Sequence, residues 1–276
     1  MTSFLRPVCA AFLVAGVCLS IAACGGPPQR GGEADPPAQQ TGYALPPELT
    51  DAVRGADGGV TLTGRAPPDS RVRLNSPEGQ SLGATAGRDG SWTLSLPPSA
   101  TPRMFALAAE VAGRPMRAEG PVLVLPAPAP AAVTPRAGFG ALAVGHATVP
   151  TIVALDYDAG GGAAVAGLAP PKASVRLLID GMPAGSDQAD ERGRFAIMAV
   201  GGPVSPGERL VQVATDAGGA QARVALSAPT APGAAAYLAR REDGRWRIDW
   251  SLPGGGVQTT LVFDAGPREA PSGTAR

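Results

Sequence analysis

The chain repeats itself, and that constrains its fold more than any other feature. Gly64-Arg65-Ala66-Pro67-Pro68 returns as Gly167-Leu168-Ala169-Pro170-Pro171, and Val72-Arg73-Leu74 returns as Val175-Arg176-Leu177. With one-residue adjustments of length, Gly79 aligns with Gly181, Gly83 with Gly185, Ala86 with Ala189 and Gly90 with Gly193. Trp92 then matches Phe195, and Leu94 matches Ile197. A duplication anchored on glycine and proline implies two copies of one small unit, each burying its own apolar face.

Within a copy the periodicity is that of short strands. Val60-Thr61-Leu62-Thr63 alternates and stops at Gly64, and Pro67-Pro68 cannot continue a central ladder. Val72-Arg73-Leu74 places Val and Leu on one face and Arg73 on the other. Pro77-Glu78-Gly79 and Arg88-Asp89-Gly90 read as turns on either side of a strand over 80–86. Trp92, Leu94 and Leu96 then share a face, followed by strands over 104–112 and 121–125. Copy two runs likewise from Ile152 to Leu226, with turns at Asp180-Gly181 and Arg192-Gly193. Six or seven such strands per copy predict a β-sandwich. The 30 Pro and 38 Gly would verge on low complexity if scattered, but they fall at turns.

The pattern G-x-A-P-P followed by V-R-L, spaced glycines and D-G-x-W or R-G-x-F resembles bacterial Ig-like modules of surface and cell-envelope proteins. The resemblance implies an all-β fold of two Ig-like β-sandwiches in tandem, over 48–126 and 149–228. Residues 127–148 read as an Ala/Pro/Gly-rich linker. Its Pro126-Ala127-Pro128-Ala129-Pro130 run is expected to be extended and semi-rigid, holding the modules apart. Such sandwiches host many unrelated roles, so the fold is nearly silent on function.

Residues 229–276 depart from the repeat and predict a C-terminal three-stranded β-meander with a tail. Glu242-Asp243-Gly244 signals a hairpin. Arg245-Trp246-Arg247-Ile248-Asp249-Trp250 alternates, with Trp246, Ile248 and Trp250 on one face and charges on the other. Three strands alone are marginal in water, so the apolar face must cover something. It either packs on the second sandwich or forms an exposed patch. In the second case Trp246, Ile248 and Trp250 are the candidate partner-binding residues.

At the other end, Val8–Ala23 is an uncharged, mostly apolar run behind Arg6, too short for a bilayer span of ~20 residues and suited to a signal peptide. Leu19-Ser20-Ile21-Ala22-Ala23-Cys24 resembles the lipobox of bacterial lipoproteins. The resemblance implies a signal peptide over 1–23, removed to leave Cys24 as the acylated N-terminus. Multiple acyl chains anchor stably at ~0.8 kcal/mol per buried CH₂. Ser20-Ile21-Ala22 also fits an ordinary signal-peptidase site, and an uncleaved anchor is a further alternative. Gly25 rather than Asp after the cysteine favours the outer membrane over the inner, by the enterobacterial sorting rule. Residues 24–47, rich in Gly, Pro and Gln, read as a disordered tether about 25–30 Å in reach.

Composition narrows the chemistry. Losing Arg6 leaves 22 basic against 23 acidic side chains with no Lys/Arg stripe, which argues against nucleic acid. Of three cysteines, Cys9 and Cys18 leave with the leader and Cys24 carries lipid, so no thiol remains for a disulfide. The single His146 lacks any oriented partner, so a Ser-His-Asp or Cys-His site is not expected. No metal or other cofactor is expected; carboxylates near Asp156, Asp158, Asp187 and Asp190 read as solvated turns, with calcium between modules as the alternative. The reading that results is a non-catalytic, lipid-anchored envelope protein, a spacer or interaction module in the periplasm. Its partner would be a protein or a peptidoglycan-associated component, and its oligomeric state is open. An adhesin-like lipoprotein at the cell surface is the alternative, and a glycan-processing enzyme a remote one.

Overall fold

A computed structural model describes residues 44–145 and 147–264. Among these residues the only regular elements are β-strands, and every strand pairing is antiparallel.

The first repeat holds β1 (Glu48–Arg54), β2 (Val60–Arg65), β3 (Arg71–Asn75), β4 (Ser81–Thr85), β5 (Ser91–Leu96), β6 (Arg103–Val111), β7 (Arg114–Arg117) and β8 (Val122–Val124). Strands β1-β2-β5 form one sheet, and β8-β6-β3-β4, with β7 also on β6, form the sheet packed against it. Leu62, Val72, Leu74, Trp92, Phe105 and Val122 fill the space between, each at most 2% exposed. Alternation puts them there: β3 reads exposed-buried-exposed-buried-exposed, with Arg71 and Arg73 outward and Val72 and Leu74 inward.

Before the second repeat come β9 (Ala132–Arg136) and β10 (Phe139–Ala143). They overturn the expectation that residues 127–148 form a linker holding the modules apart. Strand β9 pairs with β8, and β10 pairs with β9, so this segment widens the first repeat's second sheet. Proline is tolerated because Pro135 lies where the β9–β10 register is irregular, between the Arg136–Phe139 and Thr134–Leu142 pairs. The small side chains then let the hairpin lie against a neighbouring sheet instead of standing in solvent.

The second repeat comprises β11 (Thr151–Asp158), β12 (Ala163–Leu168), β13 (Ser174–Ile179), β14 (Met182–Gln188), β15 (Arg194–Met198), β16 (Gly207–Thr215) and β17 (Gly218–Leu226). It copies the first: β11-β12-β15 faces β14-β13-β16-β17. The three C-terminal strands, β18 (Tyr237–Glu242), β19 (Arg245–Ser251) and β20 (Val257–Phe263), extend its first sheet into β15-β12-β11-β20-β19-β18. The chain is therefore two tandem Ig-like sandwiches with a β-meander joined edge-on to the second.

The repeated residues have a common physical cause. Gly64 sits directly across from Trp92, and Gly167 directly across from Phe195. A Cβ on Gly64 would stand 2.3 Å from the Trp92 ring, and one on Gly167 2.5 Å from the Phe195 ring. Each first strand carries a register shift at the same place, Leu49/Asp51 and Ile152/Ala154. Gly90 and Gly193, at φ 77° and 80°, would each press a Cβ onto the carbonyl of Ala66 or Ala169. One matched pair is not equivalent: Gly83 pairs with Arg73, whereas Gly185 pairs with Leu177, one step along, because β14 carries a bulge that β4 lacks.

Candidate functional site

The face that offered Trp246, Ile248 and Trp250 as candidate partner-binding residues is covered, and what covers it includes the first repeat as well as the second. Ile248 is 0% and Trp250 3% exposed, so neither is available to a partner. They join Val153, Leu168 and Val262 from the second repeat's sheet and Met104, Leu123, Leu125 and Val133 from the first repeat in one apolar cluster. The Trp250 Nε1–H donates to Thr260 Oγ1 at 3.1 Å. Trp246 is half-buried at the margin, with the Arg241 guanidinium 5.4 Å from its ring centroid. The alternation in 245–250 was legible, but which neighbour covers the apolar face was not.

The opposite, charged face is also covered. Arg247 is 1% and Asp249 0% exposed, a burial that their place on the charged face of the alternation did not reveal. The Arg247 Nε–H donates to Asp249 Oδ1 at 3.1 Å, and its terminal nitrogens donate to Ser227 Oγ, the Ser227 and Ala228 carbonyls and Thr259 Oγ1. Arg240 donates to the second Asp249 oxygen at 2.7 Å. The 227–228 segment thus lies over this face of β19, and a fully hydrogen-bonded ion pair is what makes its burial tolerable.

A polar cluster crosses the seam between the sheets. Asp156 on β11 accepts hydrogen bonds from the Ala141 N–H at 2.7 Å, from Gln258 Nε2 at 3.0 Å and from the Thr260 hydroxyl. Gln258 also donates to the Arg136 carbonyl and accepts from the Gly138 N–H, both at 3.1 Å, so its orientation is set by backbone on the β9–β10 hairpin. Burial pushes the Asp156 carboxyl up to about 6, while Thr260, Ala141, Gln258 and the Arg136 charge pull it down. Around it Ala141, Ala154 and Ala166 are each 0% exposed, and a Cβ on Gly140 would come within 3.1 Å of the Ala196 Cβ. The solvated-turn expectation is wrong for Asp156, which is 3% exposed within β11, and the three consecutive polar residues Gln258-Thr259-Thr260, two of which meet it, were the signal left unread.

Of the other carboxylates singled out in the sequence, Asp158 and Asp190 close local turns and Asp187 links β14 to β15. Asp158 accepts from the Gly160 and Gly162 N–H groups, Asp187 from Gln188 and Ala196, and Asp190 from Arg192 and Arg194. His146 and Cys24 lie outside the described residues.

One cleft of about 400 Å³ opens where β18 passes the first repeat. Its walls are the Pro77–Glu78 turn and Thr101–Pro102 on one side, and Ala234–Ala236, Tyr237 and Ala239 on the other. The Tyr237 hydroxyl donates to the Pro102 carbonyl at 3.1 Å and so fixes the width at that end. Burial raises the Tyr237 phenol pKa, and the negative charge of Glu78 adds to the effect. Glu78 is the one carboxylate lining this cleft, and paired-carboxylate glycan hydrolysis requires two.

No protein-family model matches the chain, and no curated protein matches it significantly in sequence. Similar solved structures exist at low identity. The central fibronectin-III array of RIM-binding protein matches over 75% of this chain and 79% of that one, at 15% identity and a TM-score of 0.27. The BSP domain of a biofilm-associated protein covers 68% of this chain and 30% of its own, at 15% identity and 0.25. Invasin, a bacterial integrin-binding protein, covers 79% and 54%, at 11% identity and 0.22.

Proposed function

We propose that this chain is a lipid-anchored cell-envelope protein whose folded body acts as a non-catalytic spacer and interaction module on the periplasmic face of the outer membrane. The lipobox-like Leu19–Cys24 run, at the boundary between an apolar leader and Gly/Pro-rich sequence, carries the reading. Processing there would leave Cys24 as the acylated N-terminus, followed by a tether that bears the sandwiches away from the lipid. Two buried polar clusters among the described residues are consumed in joining sheets, and the cleft beside Tyr237 is lined by a single carboxylate, which supports the non-catalytic part.

Expression of the full chain in a bacterial host with metabolic palmitate labelling tests the anchor. Wild type should incorporate label and sediment with membranes, whereas Cys24→Ala should do neither. A wild-type protein released unlabelled into the soluble fraction would overturn the proposal. Protease treatment of intact cells separates the periplasmic from the surface-exposed placement, since only the latter is clipped.

A further inference from the structure

The six-stranded sheet ends at β18, which pairs on one side with β19 and on the other with no strand among the described residues. Which backbone groups it leaves open follows from its turn. Asp243 and Gly244, at φ 47° and 73°, form a two-residue hairpin loop, so the flanking Glu242–Arg245 pair is hydrogen-bonded. The Arg240–Arg247 and Leu238–Asp249 pairs are bonded in the same way, and the Ser251 N–H to Ala236 O bond continues that phase. The N–H and C=O groups of Tyr237, Ala239 and Arg241 therefore point to the open edge.

Strands β4, β5 and β17 are also proline-free edges of regular register, and what sets β18 apart from them is the cleft alongside it. Five further edges among the described residues are blunted. Strand β1 has a register shift, β7 carries Pro115, β10 is irregular, and β14 carries both Pro183 and a bulge. On β15 the outward Ala196 N–H is already taken by the Asp187 carboxylate. Strand β18 has no proline and an uninterrupted register. Its charges are already committed: Arg240 to Glu242 and Asp249, Arg241 to Asp264. A regular edge without such defences is a template for another strand.

We infer that β18 accepts an extended peptide segment of a partner protein as an added strand, one end of which seats in the cleft beside Tyr237 with a basic side chain toward Glu78. The cleft, at about 400 Å³, holds a short extended segment but not a folded sandwich, whose two sheets pack ~10 Å apart. Ala234–Ala236 and Ala239 keep that side of the cleft low enough for a close backbone approach. Glu78 has no ion-pair partner among the described residues, so a basic residue there gains an unopposed carboxylate. Main-chain bonds supply affinity and the cleft supplies selectivity. The inference rests on the reading of this chain as an interaction module but not on its anchoring, so its test and the palmitate test fail separately.

A phage-displayed library of random ten-residue peptides, panned on the full chain, is the probe. Ala239→Pro removes an outward N–H and no β18–β19 bond, so it should fold yet bind enriched peptides at least about tenfold more weakly. Enriched peptides should carry Lys or Arg and lose affinity against Glu78→Gln. On wild type, adding a bound peptide should slow hydrogen exchange at the Ala239 and Arg241 amides, a readout that stands even if the proline variant misfolds. Failure to enrich peptides, equal binding to Ala239→Pro, or exchange unchanged by peptide would overturn the inference. So would amides already protected without peptide, which would mean that this chain or a second copy covers the edge.

Discussion

The Asp156 carboxylate accepts a hydrogen bond from the Ala141 N–H at 2.7 Å, tying the second repeat's first strand to the hairpin that widens the first repeat's sheet. The bond is one of several polar links across a seam otherwise lined by alanine and apolar side chains. It gives the two sandwiches a shared wall, and it makes part of their union dependent on pH.

Burial raises the Asp156 pKa from 3.8 to about 6, so the folded state binds this proton more tightly than the unfolded state. The stability contributed by its protonation is fully present below pH 3.8 and is lost as pH rises through 6. The difference amounts to about 3 kcal/mol between the two limits. Urea unfolding of wild type should show a higher midpoint near pH 5 than near pH 8. In Asp156→Asn that slope should flatten; an unchanged slope would assign it to other groups.

Gly64 and Gly83 both lie in strands of the first repeat, yet alanine should act oppositely at the two. At Gly64 the new Cβ meets the Glu48 carbonyl at 2.1 Å and the Trp92 ring at 2.3 Å, so β1 or the ring must move. At Gly83 the nearest atom is 3.6 Å away. Gly64→Ala should lose at least about 3 kcal/mol, while Gly83→Ala should be neutral or slightly stabilising. Thermal melts of the two variants decide the point.

Arg247→Met removes the cation from a buried pair and leaves Asp249 with Arg240 and Thr259. A loss of about 3–5 kcal/mol is expected. The double change Arg247→Met, Asp249→Leu should recover much of it, because no buried charge is then left short of a partner. A double variant less stable than the single one would show that the pair contributes net stability rather than merely satisfying itself.

The legible part of the fold was the part that repeats. Trp92 and Phe195 could be matched from sequence because each lies over a glycine that tolerates no Cβ, a local constraint acting twice. Pro128, Pro130 and Pro135 misled, since proline-alanine composition signals an extended spacer. Pairing along β8 absorbs 132–136 all the same, with Pro135 placed at an irregular step. The candidate site was legible only as an alternating hexapeptide. Trp246, Ile248 and Trp250 do share a face, but burial depends on what lies opposite, and that is first-repeat sequence more than a hundred residues away.

Turns, strand phase and duplication were determined by the sequence itself, because backbone sterics at glycine and proline and two-residue alternation act over a few residues. Tertiary structure alone decided that β20 would dock along β11, that Arg247 and Asp249 would be buried as a pair, and that β18 would be left as an open edge. Those outcomes depend on which distant surfaces meet, and alternation along one strand carries no information about the surface it will face.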